Sequence, residues 1–341
     1  MPEPSPPRMA RAQRVRAPLE LTLPSPRHQL TWRGLRDADA PQIAALLASD
    51  EFAQDSVDPV PPLFAGIEGY NQGNAEDTIG GFDEAGVLRA CSAVFLWPDV
   101  DGVMIIHGVV DPTWGGRGIG RAMMAWQEGR SRQILAGLPG DGPARILCYV
   151  DESAANRRRL LMAAGFAPVR SMYKMRRDLE APIPCNELPG GFQWRTINKV
   201  DSEELRLAHN VASQDGWAPG PIYPSLWERR WSQYSPTMSW VVVDAETHAI
   251  AGYGLSLDDL QPWKLGDLGE ALIHRMAVLP QYRNRGIGRA ILSRVLFCIA
   301  DEGPRFASAL FDPGVPASGL EMNQAFGFAP ARRVIVYGLD L

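Results

Sequence analysis

The sequence predicts an α/β protein built as two tandem domains, each a mixed central sheet flanked by helices. Three observations carry this. A strand, a glycine-rich turn and a helix follow one another twice, through Val109–Arg121 and Ile273–Arg289, with the proline six positions before the central glycine both times (Pro112 to Gly118, Pro280 to Gly286). Each half opens on the same kind of strand, Trp32-Arg33 and Trp194-Arg195, at an offset of 162. Each half also ends alike: Gly165-Phe166-Ala167-Pro168 recurs as Gly327-Phe328-Ala329-Pro330 at that same offset of 162. The central glycines differ by 168, so the second copy carries six more residues before its turn and six fewer after it. A period this long means duplicated domains rather than a solenoid.

The elements follow in order. Residues 1–27 are rich in Pro and Arg without hydrophobic period and read as a flexible arm. The first domain spans 28–180. Leu30–Leu35 reads as a strand, and Asp37 or Asp39 can cap a helix over Ala40–Leu47. Strands follow at Thr78–Phe82, Leu88–Trp97 and Val103–Val110, then a helix over Gly118–Gln133 and a strand over Arg145–Val150. A helix over Asn156–Ala164 stops at Gly165, and Val169–Asp178 closes the copy. Three prolines and two glycines make 181–191 the linker.

The second domain, 192–341, repeats the reading. It has a strand at Gln193–Ile197 and a helix capped by Asp201 or Ser202 and running through Ala208. An aromatic, proline-rich loop follows over Asp215–Pro224. Strands at Ser239–Asp244, Ala249–Leu257 and Ala271–Val278 lead into the turn. A helix over Ala290–Ile299, a strand over Ala307–Phe311, a helix over Gly319–Phe326 and a strand over Arg333–Leu339 complete the copy.

Composition narrows the function. The chain of 341 residues is long enough for two domains with full cores, and 45% hydrophobic with 21% charged residues is a globular composition. A net charge of −5 argues against a general binder of nucleic acid or anionic membrane. The four cysteines (Cys91, Cys148, Cys185, Cys298) form no cluster, so no metal site is expected. The N-terminus lacks an apolar signal region and no apolar run is long enough to span a bilayer, so a cytoplasmic location is expected.

The chemistry gathers at Arg283-Asn284-Arg285-Gly286-Ile287-Gly288-Arg289. A strand, a glycine-rich turn and a helix start aim successive backbone N–H groups and a positive helix end at one spot, which suits a pyrophosphate. Arg283-x-x-Gly286-x-Gly288, directly after a strand and opening a helix, resembles the signature of the GNAT superfamily of acyl-CoA-dependent N-acyltransferases. The Gly-Phe pairs after the late helices resemble that family too. The likeness covers about residues 30–341 as two copies and is similar to tandem GNAT proteins of mycothiol-synthase-like architecture.

The resemblance implies acetyl-CoA as co-substrate and a primary amine of a small molecule as acceptor, joined by direct attack. Main-chain groups of Met276, Ala277 and Val278 would pair with the pantetheine amides. Arg283, Asn284, Arg285, Gly286, Ile287, Gly288 and Arg289 would hold the pyrophosphate. In the first copy Val110, Arg117, Gly118, Gly120 and Arg121 would keep a weaker form of that grip, because Gly115 stands where the signature has Arg or Gln. The family's usual tyrosine acid is replaced by Leu161 and Asn323, so the acid is left open; Tyr282 and Tyr337 are not placed by sequence.

An attacking amine must be neutral, so a base is useful. Strand alternation puts Glu270, Leu272 and His274 on one face and Ala271, Ile273 and Arg275 on the other. The first copy has Gly102, Met104 and Ile106 opposite the first set, and His107 aligns with Arg275. Glu270 and His274 are therefore the catalytic candidates and the second domain the catalytic one. Trp217 and Tyr223 are expected to wall the acceptor site. The rival reading is a non-catalytic acyl-CoA sensor or scaffold. A nucleotide-binding protein fits poorly, since there is no GxxxxGK[ST]. Fusion of two copies also points to a monomer, an intramolecular pseudo-dimer with no nucleic-acid or membrane partner.

Overall fold

The computed structural model describes residues 10–25, 29–49, 75–97, 102–214, 221–222, 224–258, 269–314 and 318–341. In chain order the described elements begin α1 Arg11–Val15, β1 Thr31–Arg33, α2 Ala40–Ala48, β2 Thr78–Phe82, β3 Leu88–Leu96, β4 Val103–Val110, α3 Ile119–Gly137, β5 Arg145–Asp151, α4 Ala155–Ala163 and β6 Ala167–Asp178. They continue β7 Phe192–Thr196, α5 Ser202–Ala212, α6 Pro224–Trp231, β8 Trp240–Asp244, β9 Ile250–Asp258, β10 Glu270–Val278, α7 Ile287–Glu302, β11 Phe306–Phe311, α8 Ser318–Ala325 and β12 Ala329–Asp340. The predicted pattern of mixed sheets and helices is present in both copies. α6 is an addition, lying in a stretch that sequence left without structure.

The compact units are not the two sequence halves. One unit gathers Met1–Trp97, Asp101–Arg170 and Val334–Leu341; the other gathers Ser171–Arg333. The reason is an exchange of closing strands. β6, the end of the first copy, pairs antiparallel with β11 from Asp178↔Phe306 to Tyr173↔Phe311. β12, the end of the second copy, pairs antiparallel with β5 from Val334↔Asp151 to Asp340↔Arg145. Each unit thus has one strand order, β1-β2-β3-β4-β5-β12 and β7-β8-β9-β10-β11-β6. In each, one pair is parallel, β4 with β5 and β10 with β11. The boundary expected at 181–191 is correspondingly displaced: this segment packs on the second unit. Ser293 Oγ donates to the Pro184 carbonyl at 2.7 Å and accepts from Asn186 N–H at 3.1 Å. The buried Arg177 guanidinium donates to the carbonyls of Ala181 and Pro182. Prolines leave carbonyls without a ladder, and these donors satisfy them.

The amino-terminal arm also departs from expectation. Its residues 10–25 pack on the first unit, with Arg11 and Val15 fully buried. Arg11 N–H donates to the Gly140 carbonyl at 3.1 Å, and its guanidinium to the Pro139 carbonyl at 3.2 Å. An arginine with donors aimed at carbonyls can be buried where hydrophobic periodicity gives no sign of it.

The second unit's core explains its glycines. Ile287, Ile291, Val295 and Ile299 form an i, i+4 stripe on α7, each at most 1% exposed. Each buried side chain of this size contributes about 2 kcal/mol of hydrophobic stabilisation. The stripe lies against β9, where a Cβ at Gly254 would meet Ile291 Cγ2 at 2.8 Å and Val295 Cγ2 at 2.9 Å. The Gly252/Gly254 break in the strand pattern is therefore the seat of α7. In the first unit Met123 and Trp126 of α3 share a core with Ile146 of β5 and with Ile335 and Tyr337 of the exchanged β12. Removal of Val334–Leu341 is expected to open the first unit. In hydrogen exchange, β5 amides should lose protection while β11 amides keep theirs; loss at β11 with β5 intact contradicts the exchange.

Candidate active site

The parallel pair of the second unit does not run its full length. β10 pairs with β11 from Glu270↔Phe306 to Ile273↔Ala309 and then leaves it. Beyond that point β10 ladders only with β9, from Arg275↔Leu255 to Val278↔Gly252. The register shifts between Ile273 and Arg275, so His274 is a bulged residue. A bulge inverts the alternation that follows. Ala271, Ile273, Met276 and Val278 face the α7 core, whereas Ala277 and Leu279 face the α5–α6 core. Arg275 therefore shares His274's face, towards α5 and α6, contrary to the alternation expected from sequence. The first unit parts similarly: β4 pairs with β5 only from Val103↔Arg145 to Ile105↔Leu147.

The turn after β10 begins as one 3₁₀ turn, Pro280–Tyr282, and reaches α7 through Asn284 at φ 62° and Gly286 at φ 85°. Left-handed backbone is costly for most side chains and open to Gly and Asn, so these two residues set the shape of the turn. No side chain caps α7 at Gly286, so its first N–H groups face outward beside the exposed Arg285 and Arg289. A Cβ at Gly288 would lie 3.6 Å from Met322 Sδ and from Val278 Cγ2, ordinary contact that leaves room there. The first copy has the same backbone. Gly115 is at φ −62°, ψ 160° and Arg283 at φ −63°, ψ 160°. Gly118 is at φ 84° against Gly286 at 85°. The loss of the signature arginine at Gly115 has not altered the turn.

Arg283 is exposed, yet its guanidinium folds back onto the protein. Its Nε donates to the Val278 carbonyl at 3.1 Å and its Nη2 to the Ala212 carbonyl at 3.2 Å. Ala212 ends α5, so the guanidinium ties that helix's negative end to the turn. Arg117 of the first unit instead lies 4.3 Å over the Trp114 ring. Val110 ends β4; Gly118, Gly120 and Arg121 occupy the start of α3 as expected.

The two catalytic candidates are apart in their surroundings. Glu270 opens β10 where the parallel ladder is still intact. It is 5% exposed, with Lys174 Nζ 2.8 Å from its carboxylate. His274 sits at the parting. Its Nδ1 is 3.0 Å from Tyr234 Oη. Trp217 and Tyr223 lie outside the described residues.

Sequence missed the group beside His274. Arg275 Nη1 is 2.8 Å from His209 Nε2, and His209 Nδ1 makes a short hydrogen bond with Tyr253 Oη. A guanidinium can only donate, so Nε2 accepts and the imidazole proton sits on Nδ1, donated to Tyr253. Burial, together with the Arg275 charge, holds His209 well below the usual histidine range, so it stays neutral. Burial pushes the Tyr253 phenol up, so it stays protonated. Trp227 of α6 stacks on His209 at 5.7 Å and 26°. The one visible signal was a histidine among the apolar positions Leu205, Ala208 and Ala212 of α5. The acid stays unassigned: Asn323 Nδ2 is tied to the Gly319 carbonyl, Leu161 is core, Tyr282 packs on Phe192, and Tyr337 belongs to the first unit's core.

A mixed sheet parted at its parallel pair, with a glycine-rich turn opening the next helix, is the arrangement of the acyl-CoA N-acyltransferase fold. Residues 205–308 match the acetyltransferase (GNAT) family. A GCN5-related N-acetyltransferase from Sphaerobacter thermophilus superposes with a TM-score of 0.70 at 21% identity, over 94% of this chain and 97% of that one. A tandem GNAT protein from the clavulanic acid biosynthesis pathway gives a TM-score of 0.67 at 18% identity, over 91% and 98%. Mycothiol acetyltransferase from Tsukamurella paurometabola is 27% identical over 251 residues, 70% of this chain and 80% of that protein. Residues 205–308 thus carry the match to the GNAT family, and the chain as a whole shares the fold of tandem GNAT proteins; acyl transfer from acetyl-CoA to an amine is the activity that these likenesses support.

The buried neutral His209 makes stability pH-dependent. Its folded pKa is depressed, so the unfolded chain takes up the proton first. This contribution is whole above about pH 6.5, the ordinary histidine value, and falls as pH drops below it, by at most about 1.4 kcal/mol per pH unit. Thermal unfolding between pH 7 and 5 should show Tm falling in the wild type and a flatter profile in His209→Gln. Equal slopes in both would contradict a buried neutral imidazole.

Proposed function

We propose that the second unit carries the acetyl transfer and that its acceptor is a primary amine of a small molecule. The observation that carries this is the coincidence of three features on one short stretch: β10 parts from β11, His274 bulges at the parting, and the turn 283–289 follows four residues after the strand ends. The residues present fit acetyl-CoA. The N–H groups of Ile287, Gly288 and Arg289, with the exposed Arg285, would hold the pyrophosphate, and Asn284 and Gly286 shape the turn that aims them. The main chain of Met276, Ala277 and Val278 offers one unladdered edge to the pantetheine amides. When bound there, the thioester supplies an activated acetyl carbonyl.

His274 is our candidate base. To accept a proton at Nε2 it must carry its own on Nδ1 and donate it to Tyr234 Oη, a tautomer that the 3.0 Å contact permits. Glu270, held by Lys174 three residues before the last parallel pair, has a better claim as an ion-pair anchor of the strand than as a base. Among the described residues no phenol is placed as the missing tyrosine acid, so we assign release of the thiolate to water. Arg283, by holding α5 to the turn, positions the acceptor side.

The first unit keeps the turn but differs at the parting. Gln127 Nε2 donates to the His107 carbonyl at 2.7 Å, occupying the β4 main chain just beyond its last pair with β5. A small cavity of about 70 Å³ remains beside His107, Cys148 and Tyr149. We read it as a weaker acyl-CoA site, held by Val110, Arg117, Gly118, Gly120 and Arg121, without turnover. The likeness to mycothiol acetyltransferases supports a small acceptor, and a monomer in the cytoplasm fits this reading.

The assay is thiol release from acetyl-CoA with a panel of amines. His274→Ala should lower kcat by about 10²-fold, the usual scale for losing a general base. Gly286→Glu puts a side chain and a like charge into the left-handed position of the anion cradle and should abolish saturable acetyl-CoA use. Undiminished turnover in Gly286→Glu would show that the working cofactor site lies elsewhere.

A further inference from the structure

Arg275 is the most unusual charge in the second unit. It is half-buried on β10, immediately after the bulge, and among the described residues no carboxylate pairs with it. Among the described residues one of its five N–H donors is used, on His209, and its Nε is buried without an acceptor. The buried arginines of this unit are treated differently: Arg177 has three carbonyls around it, and Arg206 pairs with Glu203 and the Ile222 carbonyl. A guanidinium partly withdrawn from water with so few acceptors has donors left for a ligand to complete. The protein nevertheless fixes it in place. His209 is 7% exposed and Tyr253 fully buried, and their hydrogen bonds leave His209 a neutral acceptor that positions the cation without neutralising it. Trp227 stacks behind the imidazole.

We propose that Arg275 is the anchor for a carboxylate on the acceptor, so that the acceptor is an amino acid or a similar amino carboxylate. This rests on the reading of the second unit as the transferase site. A single cation fits a singly charged group; a phosphate dianion would call for further donors, and among the described residues Lys174 is committed to Glu270. His274 and Arg275 are consecutive, with Cα atoms about 3.8 Å apart, and the bulge turns both side chains to the α5–α6 face. The amine addressed by one and the anion held by the other must therefore lie within a few bonds of each other. Arg275 then orients the substrate, its positive charge favours the neutral form of the neighbouring amine, and His274 takes the proton as nitrogen attacks the thioester carbon and the thiolate departs.

The test pairs L-amino acids with their own carboxamides, with phosphoethanolamine as a third arm, and reads kcat/KM for acetyl-CoA thiol release. The free acids should exceed the amides by on the order of 10- to 100-fold, the scale of a charge-assisted hydrogen bond. In Arg275→Gln that gap should collapse, the acids losing at least tenfold more than the amides. Amides equal to or better than acids overturn the proposal. Equal losses for acids and amides in Arg275→Gln also overturn it, and assign Arg275 to the thioester instead. Preference for phosphoethanolamine overturns the choice of carboxylate. Arg275→Lys, checked for acetyl-CoA binding by calorimetry, should retain part of the gap and guards against a variant that fails to fold. Absence of turnover with every amine would instead defeat the transferase reading; calorimetric binding of acid against amide to the CoA-saturated protein then decides the carboxylate site separately, no preference overturning it.

Discussion

The site depends on one breach of an otherwise strict rule. Main-chain N–H and C=O groups inside a protein are nearly always paired, yet β10 leaves β11 after Ile273 and continues as a strand with one edge unladdered. The protein makes this tolerable locally. The bulge at His274 absorbs the change of direction, the β9 ladder holds the opposite edge, and Arg283 takes the Val278 carbonyl. What remains is an edge ready to pair with an extended amide chain, ending at a turn that exposes helix N–H groups. Peptide-like recognition by an added strand is a general use of such an edge.

Electrostatics on the acceptor side follow from the same bulge. By moving Arg275 onto the α5–α6 face it brings a cation against His209, and burial keeps that imidazole neutral. The helix carrying His209 is held at its C-terminal end by Arg283. The glycine-rich turn, α5 and β10 are thus joined through two arginines eight residues apart in sequence. The first unit shows what is lost without them: its turn has the same backbone angles, but Gly115 replaces the arginine that holds α5, and Gln127 covers a carbonyl at its parting.

Much of this was legible in residues. The duplicated turn, the anchors at a fixed offset and the order of strands and helices all rest on local patterns, and local patterns survive folding. Gly286 announced a left-handed turn. Three things were not legible. The exchange of β6 and β12 is a choice between two nearly identical strands, each carrying the same alternation, so their pairing partners are set by tertiary contacts. The bulge at His274 inserts one residue without a glycine to mark it, and so Arg275 was assigned to the wrong face. Arg11 and Arg177 are buried through hydrogen bonds to carbonyls, which hydrophobic patterning does not register.

The central claim is that the unladdered edge of β10 and the turn after it form the working acetyl-CoA site. Hydrogen exchange with and without CoA measures this at single amides. Protection should concentrate at Met276–Val278 and at Arg285–Arg289. Protection confined to the first unit's turn, with these amides unchanged at saturating CoA, would contradict the account.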